Sequence, residues 1–205
     1  MITTNDSSTL DAPKEDARQK RTRLSLEEAV LQLASERDIT TASVSELTRR
    51  AGVVRTTFYA HAQTPVQLLT KVLSRELDDV RSYLMAELHN GVPQGQFREL
   101  THRTTHQIID HVMRHHAVYG GMNSASSSYA LRTVLGEHVA GCVIRVLEGG
   151  YVKAPSSKPE DLAIYATFLA AGTAGAIEYW LQAKQPKSRT ALIEAINAVL
   201  PDWYA

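Results

Sequence analysis

The stretch from Ser43 to Leu69, SVSELTRRAGVVRTTFYAHAQTPVQLL, starts a helix, stops it, starts another and restarts a third within a few helical turns. Ser43 and Glu46 have capping-box spacing, and Val44, Leu47 and Ala51 recur at helical intervals. Gly52 is the residue type that closes a helix in the left-handed conformation. A short helix from Val54 to about Ala62 follows at once, and Thr64 with Pro65 caps the next, where a missing backbone donor costs nothing. Helices this short, joined through glycine, must cross at a tight corner, which is the arrangement of a helix-turn-helix module. An ordinary bundle also contains such corners, so spacing alone leaves both readings open.

Upstream, SLEEAVLQLASER places Ser25 and Glu28 at capping-box spacing before the stripe Val30, Leu33 and Ala34, predicting a first helix that begins at Ser25. Asp38 is expected to close it, because Asp tolerates the left-handed region better than most residues. Residues 1–23 are expected to be a disordered tail with a basic arm. The beginning, MITTNDSSTLDAPKED, is polar and fits neither a signal peptide nor a mitochondrial-type leader. Globally, 22 basic and 22 acidic residues give no attraction to a polyanion. Locally, Ala17 to His61 holds eight Lys or Arg against five acids. Such an excess is either a solvated face or an arm, through Arg21 and Arg23, that tracks phosphates.

In a helix-turn-helix module the last helix enters the major groove by its N-terminal end. Arg55 can present its guanidinium fork to guanine O6 and N7, and Thr56 and Thr57 offer hydroxyls and a methyl to bases or phosphates. Tyr59 and His61 are longer donors suited to the flanking backbone. Phe58 is expected in the core.

With these residues in place, the segment from about Leu24 to Leu69 resembles the DNA-binding domain of the TetR family of bacterial transcriptional regulators. The matching features are the first helix ending in SER, the entry SVSELTRRAGV, the TTFYAH recognition helix and the QLL anchor. The resemblance implies that Arg55, Thr56 and Thr57 face bases, that Tyr59 and His61 grip phosphates, and that Ser43 and Ser45 also touch DNA. Two positions depart from the family. Val54 stands where Ser commonly caps the recognition helix, and Pro65 stands where a phosphate-binding Lys is common, leaving Thr64 and the helix N-terminus to hold that phosphate.

Beyond Leu69 the resemblance is architectural. Leu69, Leu73, Leu77, Val80, Leu84 and Leu88 recur at spacings of three and four, predicting one long amphipathic helix. Further helices are expected over about Gln96–His116, Ser126–Leu147, Pro159–Ala183 and Ser188–Leu200. No useful stretch alternates with period two, so the fold class is all-α; the resemblance implies a helix-turn-helix domain over 24–69 and a helical effector-binding and dimerisation domain over 70–205. The longest apolar run, Leu162 to Ile177, falls short of the roughly 20 residues of a membrane span and reads as a buried helix, without a membrane partner. The lone Cys142 cannot form an internal disulfide, which suits the cytoplasm.

Leu169, Thr173, Ile177 and Trp180 form a stripe among small residues, which core packing would also explain. By resemblance to the family's penultimate helix, they would join Leu192, Ile196 and Val199 in a homodimer interface, as two recognition helices on a palindromic operator require. Five histidines fall in HRTTHQIIDHVMRHH. His102 with His106, and His111 with His115, are each one turn apart, which is half a zinc site. A zinc-responsive regulator using these pairs is therefore an alternative, although no metal ligand set is assigned. An effector pocket is expected to be apolar, with Tyr83, His106, Met113 and Tyr129 as candidate lining residues. A small helical enzyme is the remote alternative, since the chain lacks a phosphate-cradling glycine loop, HExxH and GxSxG. The reading is thus a ligand-responsive repressor that binds double-stranded DNA, is not an enzyme and needs no cofactor.

Overall fold

The computed structural model describes residues 17–93, 95–120, 130–184 and 188–204, and every regular element among them is helical. In chain order these are α1 (Ala17–Glu36), a 3-10 turn (Ile39–Thr41), α2 (Val44–Ala51), α3 (Arg55–Tyr59), α4 (Pro65–His89), α5 (Phe97–Arg114) and α6 (His116–Tyr119). A π-helical segment (Ala130–Leu135) then leads into α7 (Gly136–Glu148), followed by α8 (Pro159–Gln182) and α9 (Arg189–Ala198). The all-α expectation holds. Tyr129, residues 1–16 of the expected tail and the expected helix start at Ser126 lie outside the described residues.

Helices α1 to α3 close around Leu26, Val30, Leu33, Ile39, Leu47 and Phe58, all fully or almost fully buried. Helix α1 starts well before Ser25, which lies inside it and caps nothing. Residues 17–24 contain neither glycine nor proline, and Arg23 pairs with Glu27 one turn on at 2.9 Å, so the helix propagates through the expected cap. Residues 17–23, including Arg21 and Arg23, are therefore helical where a disordered arm was expected. Asp38 is not left-handed either. With φ −60° and ψ 116° it caps the 3-10 turn, accepting from the Thr40 nitrogen at 2.9 Å and the Thr40 hydroxyl at 2.7 Å.

Thr64 and Pro65 start α4 as their chemistry predicts, with the Thr64 Oγ1 accepting from the Gln67 nitrogen at 3.1 Å. Its expected seam, Leu69, Leu73, Leu77, Val80, Leu84 and Leu88, is buried throughout. The front of α4 packs on α1, and the rest packs on α5 and α7. In the C-terminal bundle α7 and α8 pack most extensively, and α5 and α9 close its other side. Helix α8, with 24 residues, is long and apolar enough to cross a membrane by length and composition, contrary to the shorter span expected. Its Leu162, Ala166, Leu169, Ala170, Ala174 and Ile177 are buried within the bundle, as in the core helix of a globular protein.

His138 on α7 is buried beside Cys142, with Nε2 3.5 Å from Sγ. Burial and the neighbouring Arg81 push the imidazole down to about 4, against a smaller opposing effect of Asp78. Burial also pushes the Cys142 thiol up to about 12, leaving an inert core thiol. The unfolded chain protonates His138 near its ordinary value while the fold resists until about 4, so stability falls as pH drops through that window. Urea unfolding at pH 7.5 and 5 should show this loss, and His138→Gln should remove about 1–3 kcal/mol of the difference. An unchanged difference would assign the loss to other groups.

Candidate nucleic-acid interface

The corner is built by local chemistry. Ser43 caps α2 by accepting from the Glu46 nitrogen at 3.2 Å, while the Glu46 carboxylate pairs with Arg37 instead of reaching back. Gly52 ends α2 at φ 67° and ψ 29°, and the Val53 nitrogen bonds the Thr48 carbonyl at 3.0 Å. A Cβ at Gly52 would meet nothing within 4 Å, so the position needs glycine for its backbone and not for space.

Helix α3 begins at Val54 without a side-chain cap, as the missing Ser implies. Phe58 is fully buried and meets Tyr59 edge-on at 5.5 Å. With Phe58 anchored inward, Arg55, Thr56 and Tyr59 are exposed, and Thr57 and His61 are half-buried. The Arg55 guanidinium donates to the Ser45 Oγ, tying the start of α3 to the start of α2, where Ser43 is also exposed. The structure thus joins Ser45 and Arg55 directly, leaves Thr56 open to solvent and half-buries Thr57.

At the far end of α3, Lys71 of α4 donates its Nζ to the His61 carbonyl at 2.7 Å. Sequence reading passed over this lysine, because the contact closes around the corner between helices. It brings a cation beside the segment whose usual lysine is replaced by Pro65. The local basic excess is otherwise thinned by pairing. Arg50 forks onto Glu36 at 2.6 and 2.9 Å, Arg37 pairs with Glu46, and Arg23 is turned onto Glu27. Lys20, Arg21, Arg49 and Arg55 have no acidic partner among the described residues.

In the helical half, the expected lining residues do not converge. Tyr83 and His106 are half-buried, Met113 is 40% exposed, and none of them borders the interior space between α4, α5, α7, α8 and α9. That space holds about 50 Å³ among Leu84, Ile108, Val143, Leu169 and Tyr204. The expected interface residues Leu169, Ile177, Leu192 and Ile196 are buried in the chain's own core, while Thr173 and Trp180 are half-buried and Val199 is 79% exposed. Helix α8 turns a different stripe outward: Ile164, Phe168, Gly172, Gly175 and Tyr179. The inward set satisfies the bundle first, because an intramolecular core forms without association. The rings of His102 and His106 lie 4.8 Å apart and those of His111 and His115 5.0 Å apart, each pair tilted by about 60°.

A family model described as the C-terminal region of a transcriptional regulator matches residues 100–202. No curated protein matches the sequence. Among solved structures, the Thermus thermophilus FadR repressor in complex with lauroyl-CoA is similar at TM-score 0.60 and 16% identity, over 86% of this chain and 92% of that one. FadR of Bacillus halodurans, a fatty acid degradation regulator, gives 0.59 and 12%, over 87% and 93%. A TetR transcriptional regulator of Rhodococcus sp. RHA1 gives 0.57 and 16%, over 88% and 94%. At these identities the likeness concerns the fold.

The corner itself can be tested. Gly52→Ala should cost about 1–2 kcal/mol in denaturant unfolding, because Ala resists the left-handed region, and Gly52→Asn should cost clearly less. Equal losses would mean that something other than backbone conformation fixes this residue.

Proposed function

Because the chain belongs to the TetR family of transcriptional regulators, we propose that it is a cytoplasmic repressor that binds a palindromic operator as a homodimer and leaves it when a small-molecule effector binds. The carrying observation is the edge formed by exposed Arg55 and Thr56 with half-buried Thr57, set beside the buried Phe58 and braced by Ser45. On DNA the Arg55 fork exchanges the Ser45 hydroxyl for guanine O6 and N7, and the threonine methyls meet thymine. Tyr59, His61 and Ser43 donate to phosphates, and Arg21 and Lys71 add charge to the same backbone. The Thr64 hydroxyl and the first turn of α4 hold the phosphate that a family lysine would otherwise meet.

Dimerisation uses the outward stripe of α8 and the neighbouring Val199 of α9. Ile164, Phe168, Tyr179 and Val199 are between 63% and 79% exposed, and Gly172 and Gly175 let a second helix approach closely. Such a stripe is self-complementary across a two-fold axis. The effector is a largely apolar molecule that enters the helical bundle, where the interior space is apolar but far below the roughly 300 Å³ of a usual ligand site. Opening it moves α4, whose front packs on the reading head. The lauroyl-CoA complex of the Thermus thermophilus FadR makes an acyl thioester a reasonable first ligand to try.

Two experiments test the reading. Inverted repeats in the DNA bordering the coding region are footprinted, then titrated by fluorescence anisotropy beside a scrambled duplex. Arg55→Ala should cost about 1–3 kcal/mol on the operator and little on scrambled DNA, whereas Tyr59→Phe should weaken both alike. Loss of Arg55 felt equally on both duplexes would remove it from base reading. In sedimentation, replacing Phe168 and Tyr179 together by Glu should yield monomers that no longer hold the operator. A dimer that survives this change would put the interface elsewhere.

A further inference from the structure

Three side chains able to ligate a metal ion meet where α4 leaves the helix-turn-helix domain. Glu76 of α4, His111 and His115 of α5 each offer one ligand atom, all within 4.8 Å of one another. Glu76 Oε2 lies 2.7 Å from His115 Nε2 and 3.4 Å from His111 Nδ1. His111 is fully buried, yet its Nδ1 has no hydrogen-bond partner, a costly state for a polar atom away from water. Its other nitrogen, Nε2, lies 2.8 Å from the Tyr119 hydroxyl of α6. In the tautomer whose Nε2–H donates to that oxygen, the Nδ1 lone pair faces Glu76 and His115, the orientation a second-shell partner gives a metal-binding imidazole.

We propose that Glu76, His111 and His115 bind one divalent transition-metal ion of the zinc class, with water in the fourth position. Tetrahedral bonds of about 2.0–2.1 Å put ligand atoms roughly 3.3 Å apart, so the trio, whose ligand atoms lie within 4.8 Å of one another, needs separations to change by up to about 1.5 Å and His115 Nε2 to give up its proton. The competing group is Arg114, 3.6 Å from Glu76 Oε2, whose side chain is 62% exposed and free to swing into solvent. One carboxylate and two imidazoles suit zinc, cobalt or nickel better than magnesium or calcium.

The site also has reach. Arg75, adjacent to Glu76, is bonded to Glu27 of α1 at 2.6 Å, and α6, which carries Tyr119, packs on α1. An ion that pins α5 to α4 here biases the tilt of the reading head. This consequence rests on the DNA-regulator reading, whereas ion binding does not.

The purified full-length protein, stripped with EDTA, is titrated with Zn2+ against a chromogenic chelator and separately with Co2+, whose visible absorption reports tetrahedral ligation. One ion per chain is expected, weakened at least about 100-fold by His115→Ala or Glu76→Gln and unchanged in a His102→Ala, His106→Ala double variant. Melting curves in EDTA verify that the variants fold. No saturable binding, binding indifferent to His115 and Glu76, or binding lost with His102 and His106 would overturn the site. Once the wild-type protein is known to hold its operator, Zn2+ should change that affinity at least about fivefold, but not in Glu76→Gln. An equal effect, or none, would overturn the regulatory role while leaving the ion in place.

Discussion

The Glu27 carboxylate, largely buried between α1 and α4, joins the reading head to the rest of the molecule. It accepts from Arg23 at 2.9 Å and from Arg75 at 2.6 Å. Burial alone would raise its proton affinity, but the two guanidinium hydrogen bonds and charges outweigh that and hold the carboxyl below its ordinary value. A carboxylate in this position cannot lose its partners cheaply, since an unpaired buried charge costs several kcal/mol. The pair therefore fixes the angle at which α4 enters the C-terminal bundle. It also takes Arg23 out of any DNA-facing arm.

That angle matters because α4 is one uninterrupted helix from the edge of the helix-turn-helix corner to the far side of the bundle. Its leucine seam is continuous, so no point along it offers a hinge, and movement at one end must appear at the other. The charge pattern around the corner supports the same economy. Pairs such as Arg50–Glu36 and Arg37–Glu46 contribute little stability at an exposed surface, but they neutralise cations around the helix-turn-helix corner. What remains without an acidic partner among the described residues is a small set that includes Arg55, so geometry at the edge of α3 counts for more than net charge.

What the sequence disclosed and what it hid divide along the range of the interactions. Ser43, Gly52, Thr64 and Pro65 act within four residues of themselves, and each sits in the structure as its local chemistry dictates. Ser25 carries the same signature and caps nothing, because the favourable helix formers and the Arg23–Glu27 pair ahead of it extend α1. The histidine pairs were legible as pairs, whereas Glu76, thirty-nine residues before His115, was not. Lys71 was missed for a similar reason: its partner is a backbone carbonyl around the corner, and carbonyls leave no trace in composition.

The hardest case was α8, and the reason is physical. A helix that is apolar all round has no polar face to mark its outside, so periodicity cannot say which stripe faces in. Ile177 and Tyr179 are two residues apart and point to opposite sides, one fully buried and the other 79% exposed. The small residues are split in the same way, Ala170 and Ala174 inward against α7, Gly172 and Gly175 outward. A helix built like this has two packing surfaces, and one chain fills only the first. The exposed stripe is thus a consequence of the buried one: once Leu169 and Ile177 are committed to the core, the helical repeat leaves Phe168 and Tyr179 facing away from it.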